Sequence, residues 1–170
     1  MKSRIVSLIC FLVLFSLSQS VWAGTAKAVI GGTAPDSKIS GSAIFEDTPD
    51  GLVVEVKIEN VSPGPHGFHI HENGSCAEAG SAAGGHFNPE GVKHGFIPED
   101  GFTGAHAGDF GNIEVGADGK GSLRLVIPGL TTSGGKYNVK GRAVIVHEKQ
   151  DDFGQPTGNA GGRIGCGLIE

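Results

Sequence analysis

Aromatic residues are scarce in this sequence: one Trp, one Tyr and nine Phe make up 6% of it. Its core is therefore expected to rest on Val, Ile and Leu more than on large rings. Helix signals are almost absent, which turns the reading toward strands. Charged residues are only 18%, with no charge block, and acids outnumber bases, giving a formal charge of −5. That balance argues against nucleic acid as a partner. No internal repeat and no low-complexity linker divides the 170 residues, so one domain is expected.

Long apolar runs are missing beyond the N-terminus. Residues 1–23 read as a signal peptide. Lys2 and Arg4 give a positive start, Ile5 to Leu17 is apolar, and Val21-Trp22-Ala23 precedes Gly24 at the cleavage position. A membrane anchor is the alternative, but the run is short for a span of about 20 residues and no basic flank follows it. Cleavage removes two of the 13 basic residues and none of the 18 acidic ones, shifting the formal charge to −7. Cysteine is scarce too. Cys10 sits in the middle of the apolar run, where a lipid-modified cysteine does not belong, and leaves with it. Cys76 and Cys166 remain. In an oxidising compartment an even pair reads as one disulfide, the alternative being two buried thiols. Its loop of about 90 residues would be worth roughly 4–5 kcal/mol in a chain-entropy account.

What the chain has in plenty is glycine, 30 residues, with eight prolines. They punctuate short Val- and Ile-rich runs, the pattern of an all-β fold. The runs are Ala26 to Ile30, Lys38 to Glu46, Leu52 to Glu59, His66 to Glu72, Ile113 to Val115, Leu123 to Ile127, Arg142 to Glu148 and Arg163 to Ile169. Leu52, Val54, Val56 and Ile58 share one face. From Asn73 to about Gly111 periodicity stops, and a loop this long in a compact domain is usually functional.

The sequence has seven histidines: His66, His69, His71, His86, His94, His106 and His147, and six of them carry the chemistry. His69 and His71 lie two apart on a strand and project to one face, so both can meet one metal. His147 ends a later strand and can lie beside them. His86, His94, His106 and Asp109 sit on the long loop and make a closed N₃O set, as zinc prefers. His69, His71 and His147, with one histidine shared, make an all-imidazole set suited to Cu(II). A single zinc site with spare histidines is the simpler alternative.

Gly67-Phe68-His69-Ile70-His71-Glu72, Gly84-Gly85-His86-Phe87-Asn88-Pro89, His106-Ala107-Gly108-Asp109-Phe110-Gly111-Asn112 and Gly158 through Gly167 resemble the copper–zinc superoxide dismutases. The likeness runs from Ala26 to Ile169. It implies an eight-stranded Greek-key β-barrel or sandwich with a long metal-binding loop and a short second active-site loop. It implies one copper on His69, His71, His86 and His147, and one zinc on His86, His94, His106 and Asp109. His86 would bridge the two. Asp151 would join His69 to His94 as an outer carboxylate, Arg163 would hold the superoxide anion, and Cys76 would pair with Cys166. His66 resembles a structural histidine bonded to backbone. The implied activity is dismutation of superoxide to O2 and H2O2, as antioxidant defence outside the cytoplasm, periplasmic or extracellular. An exported copper and zinc storage protein is the alternative, and Arg163 argues against it, since storage needs no anion-holding group.

Three features depart from the family pattern. The loop between Asp152 and Arg163 is short and uncharged, so steering falls to Arg163, Lys149 and the copper itself. The zinc loop carries an insert, Gly95 to Ala105, whose purpose the sequence does not reveal. The chain stops four residues after Cys166, where relatives of the eukaryotic type contribute to a dimer, so monomer and homodimer both stay open.

Overall fold

In the computed structural model, residues 24–170 are described; the signal peptide expected over 1–23 lies outside them. Eight antiparallel strands form a closed barrel: β1 (Thr25–Gly32), β2 (Ser40–Thr48), β3 (Gly51–Glu59), β4 (Gly64–His71), β5 (Asp109–Val115), β6 (Lys120–Ile127), β7 (Ala143–His147) and β8 (Arg163–Leu168). Around the barrel the order is β1-β2-β3-β6-β5-β4-β7-β8, closing from β8 onto β1. The β3–β4 connection passes over β6 and β5, and the β6–β7 connection passes over β5 and β4. These two crossovers make the Greek key.

The interior follows from period-2 alternation. Ala26, Ala28 and Ile30 of β1, Ala43 and Phe45 of β2, and Leu52, Val54, Val56 and Ile58 of β3 all point inward. Their alternate neighbours face solvent, where Glu55 pairs with Arg124 and Glu59 with Lys120 across β3 and β6. Those exposed pairs add little stability.

β4 and β7 break the alternation because both of their faces are buried. Phe68, Ile70, Val144 and Val146 fill the barrel. His69, His71, Ala143, Ile145 and His147 occupy the opposite face, which the long loops cover. Pairing places His69 beside Ile145 and His71 beside Ala143, and sets His147 against Arg163 of β8. Cys166, opposite Ile145, joins the same outer face and is bonded to Cys76, with a Cα–Cα distance of 5.7 Å. β5 begins at Asp109, four residues before the apolar alternation does. Loop cover buries Asp109, Phe110 and Gly111 alike, so no pattern marks the start.

The insert in the long loop contains a short helix, α1 (Ile97–Gly104), that the sequence reading did not anticipate. Pro98 lies in its first turn, where the missing N–H costs nothing. The Phe96 N–H donates to Asp100 Oδ2 at 2.8 Å, and Gly101, at φ 61°, breaks the helix after one turn. With so short a periodic stretch, no amphipathic pattern could announce it. Ile97 is buried, and the Phe102 ring stacks on Tyr137 at 3.9 Å. The Tyr137 hydroxyl in turn donates to Glu90. The insert thus braces the long loop against the connection between β6 and β7.

The core makes a direct prediction. Phe45 is fully buried, whereas Val29 is 70% exposed. Phe45→Ala should cost about 3–5 kcal/mol of unfolding free energy by urea titration, and Val29→Ala should stay within about 0.5 kcal/mol.

Candidate metal centre

Two ladders of backbone hydrogen bonds bring the long loop onto β4. Phe87 N–H donates to Ile70 O at 2.9 Å, and Ile70 N–H donates to Gly108 O at 2.9 Å. His86 thereby forms an isolated antiparallel bridge with His71. A Cβ on Gly108 would collide with the Ile70 carbonyl, so only glycine permits this approach. Asp109, at the head of β5, is paired with His69.

Six imidazoles and two carboxylates are buried together on this face: His69, His71, His86, His94, His106, His147, Asp109 and Asp151. Ligand atoms of His69, His71, His86 and His147 lie within 4.8 Å of one another, and so do those of His86, His94, His106 and Asp109. The ring centroid of His86 is 4.2 Å from His69 and 4.9 Å from His71, and 5.3 Å from His94 and 5.5 Å from His106. It stands between the two sets.

A third group, His69, His94 and Asp151, is equally close but is held by hydrogen bonds. A carboxylate only accepts, so His69 Nε2 donates to Asp151 Oδ2 at 2.7 Å and His94 Nε2 donates to Oδ1 at 2.9 Å. Asp151 is set by Asn112, which accepts from its main-chain N–H at 2.7 Å and donates to its carbonyl at 2.9 Å. Neither Asn112 bond was anticipated, although Asn112 closes one of the motifs quoted above.

These acceptors decide which nitrogen of each ring keeps a lone pair. With Nε2 donating, His69 and His94 are left with Nδ1, and both Nδ1 atoms are buried without a hydrogen-bond partner. His94 Nδ1 does lie 2.9 Å from Asp109 Oδ2, but not aligned as a hydrogen bond. Proximity without alignment is what two ligands of one ion show. His71 Nδ1 donates to Gly84 O at 3.0 Å and His147 Nδ1 to Gly161 O at 3.4 Å. Their Nε2 atoms then face each other at 3.4 Å. Two lone pairs so placed repel unless a cation lies between them. His86 Nδ1 is 2.7 Å from Asp109 Oδ1, and His106 Nδ1 is 3.1 Å from the same oxygen. The residues present therefore fit two metal ions: an all-nitrogen set and an N₃O set.

The electrostatics agree. Burial first, and then unfavourable interaction with the neighbouring His86 ring, lower His71 to about 2; burial, then unfavourable interaction with the neighbouring His69 ring, lowers His147 to about 3. Burial lowers His86 to about 4 against the opposing bond from Asp109. All three are neutral and free to ligate at neutral pH. For His94 burial acts downward, but the Asp109 and Asp151 carboxylates on either side outweigh it and push it up to about 9 while no metal competes with the proton for Nδ1. Burial would raise Asp109 and Asp151, yet the surrounding imidazoles hold both well below the usual carboxylate range.

Arg163 sits at the rim. Its guanidinium donates to Gly80 O and Gly84 O at 2.6 Å each, fixing it against the loop that the disulfide anchors. Gly84 O also receives His71 Nδ1, so one carbonyl links the guanidinium to the all-nitrogen set. The Arg163 charge contributes to lowering both His71 and His147. His66 lies outside both sets. Its Nδ1 donates to His147 O at 2.8 Å, and Nε2 lies 2.9 Å from Ser62 O.

A closed Greek-key barrel with two adjacent sets of potential metal ligands on its outer face is the arrangement expected of a two-metal protein. The sequence profile of the copper/zinc superoxide dismutases matches residues 39–169, and the chain belongs to that family of enzymes, whose metals are copper and zinc. It is 36% identical over 180 residues to the extracellular superoxide dismutase [Cu-Zn] of Caenorhabditis elegans, covering 99% of this chain and 78% of that one. It is also similar to the crystal structure of the clock protein EA4, with TM-score 0.76 and 37% identity, covering 86% of this chain and 94% of the other.

The shifted imidazoles set the pH response of the metal-free protein. His71, His86 and His147 have folded values below the ordinary 6.5. The unfolded chain binds those protons first, so their contribution is lost as pH falls from about 6.5 through about 4 and about 3. His94 acts in reverse: its contribution is complete below 6.5 and lost as pH rises to about 9. The urea midpoint of metal-free protein should therefore fall on both sides of neutrality. In His94→Ala the alkaline fall should disappear.

Proposed function

We propose that this protein dismutes superoxide outside the cytoplasm, with copper held by His69, His71, His86 and His147 and zinc by His86, His94, His106 and Asp109. Two superoxide anions and two protons give one O2 and one H2O2. The observation that carries the assignment is the placement of His86. Its Nδ1 belongs to the Asp109 set, and its ring stands against His69 and His71. Bound copper supplies one-electron redox chemistry, and bound zinc, which has a single oxidation state, supplies a fixed charge.

The residues of the chain do the rest. Asp151 orients His69 and His94 through their Nε2 protons and so ties the two sets together. His86 Nε2 is the atom that carries a proton toward the departing product, while Nδ1 keeps the ring in place. Arg163 receives the anion. A guanidinium does not lose its charge, and three backbone carbonyls hold it still. With no charge between Asp152 and Arg163, steering of the substrate rests on Arg163 and Lys149 within a chain of net negative charge.

Residues 1–23 form the proposed signal peptide, and 24–170 the enzyme domain. The extracellular relative supports export. Among the described residues no helix is long and apolar enough to cross a membrane.

Metal analysis of loaded protein should find one copper and one zinc per chain. His71→Ala should lose copper and retain zinc. Arg163→Ala should retain both metals and lower the second-order rate about 10-fold. In the parent protein that rate should fall steeply with ionic strength if local positive charge guides the anion; a flat profile would remove the steering role. Copper-replete protein with no dismutation above free buffer would refute the enzymatic reading.

A further inference from the structure

The short loop after Asp151 has no charged side chain between Asp152 and Arg163, so it cannot guide an anion. It instead holds one residue, His94, from three directions. The Asp151 carboxylate accepts from His94 Nε2 at 2.9 Å. The Phe153 ring stacks over the imidazole, with centroids 6.4 Å apart and planes within 20°. The third contact comes from Gln155 and involves the backbone. His94 N–H donates to Gln155 Oε1 at 3.1 Å, and Gln155 Nε2 donates to His94 O at 2.8 Å.

Such reciprocal pairing of one residue's N–H and C=O is what a neighbouring strand ordinarily provides. His94 lies outside every strand and helix, so the amide of Gln155 takes the strand's place. Gln155 is itself anchored. The turn that carries it is closed by Gly158 N–H donating to Gly154 O at 2.6 Å, and Phe153 N–H donates to Asp151 Oδ1 at 2.8 Å. A Cβ on Gly158 would collide with Asp151 Oδ1, so the turn packs directly on the carboxylate that holds His94. Side chain, ring face and main chain of His94 are therefore all fixed by residues 151–158.

We propose that Gln155 is a positioning residue for metal retention: by clamping the main chain of His94, it keeps Nδ1 on the Asp109 side and slows loss of zinc. The proposal rests on the zinc assignment made above. The loop that lacks steering charges here serves as a latch on the zinc ligand instead.

The test uses the full mature chain loaded with copper and zinc and mixed with excess colorimetric zinc chelator. Partners outside the ligand shell typically matter by about 10-fold or more in metal affinity. Gln155→Ala should accordingly release zinc about 10-fold faster, with the visible copper band unchanged. Gln155→Glu keeps an acceptor for His94 N–H but sets a carboxylate against His94 O, so it should release zinc at least as fast as Gln155→Ala. In metal-free protein, the His94 amide should exchange faster in Gln155→Ala than in the parent, a readout that needs no metal. Zinc release at the parent rate, or equal acceleration of zinc and copper loss, would overturn the proposal. Parent protein that takes up no zinc would overturn the assignment beneath it, and is told apart by the metal count alone.

Discussion

His94 lies between two buried carboxylates, with Nδ1 2.9 Å from Asp109 and Nε2 2.9 Å from Asp151. Three separate stretches of chain meet in that arrangement: the long loop that carries His94, the head of β5, and the short loop before β8. Asp151 also receives His69 from β4. Two ionised carboxylates in a buried place are costly unless their charge is met, and here imidazoles meet it. The all-nitrogen set and the N₃O set are therefore mechanically coupled twice, once through the His86 ring and once through Asp151.

That coupling explains the division of labour between barrel and loops. The barrel interior is wholly apolar around Phe45, Phe68 and Phe110 and needs nothing from the site. The outer face of β4, β7 and β8 is where alternate residues change character. His69, His71, His147 and Cys166 stand where a solvent-facing strand would carry ordinary polar groups. Loop cover over that face excludes water, which lowers His71, His86 and His147 and leaves them neutral at working pH. The disulfide from Cys76 to Cys166 holds the covering loop, whose carbonyls at Gly80 and Gly84 then fix Arg163. A rim cation held by backbone rather than by carboxylates keeps its charge available to an incoming anion.

Particular residues show what could be read beforehand. The alternation of Leu52, Val54, Val56 and Ile58 and the pair His69 and His71 were legible because a strand has period two, and periodicity survives in sequence. Eight strands could be counted for the same reason. β5 was read short, because cover on both faces erases alternation at Asp109 to Gly111. The helix Ile97–Gly104 was invisible, since one turn broken by Gly101 leaves no helical period. Asn112 and Gln155 also escaped. Each acts by pairing its side-chain amide with another residue's main chain, and nothing local to an amide side chain says which backbone it will meet.

The sequence by itself determined the inventory: an all-β chain, the residues able to bind metal, and the cysteine pair. These are properties of residue type and of near neighbours along the chain. Tertiary structure alone decided which nitrogen of each imidazole is free, which histidine stands between the two sets, and what holds Arg163 and His94. The physical reason is distance along the chain. Asp151 lies 82 residues from His69 and 57 from His94, and Gln155 lies 61 from His94. Hydrogen bonds over such separations are set by the closure of the barrel and the packing of its loops, which leave no local pattern in the sequence.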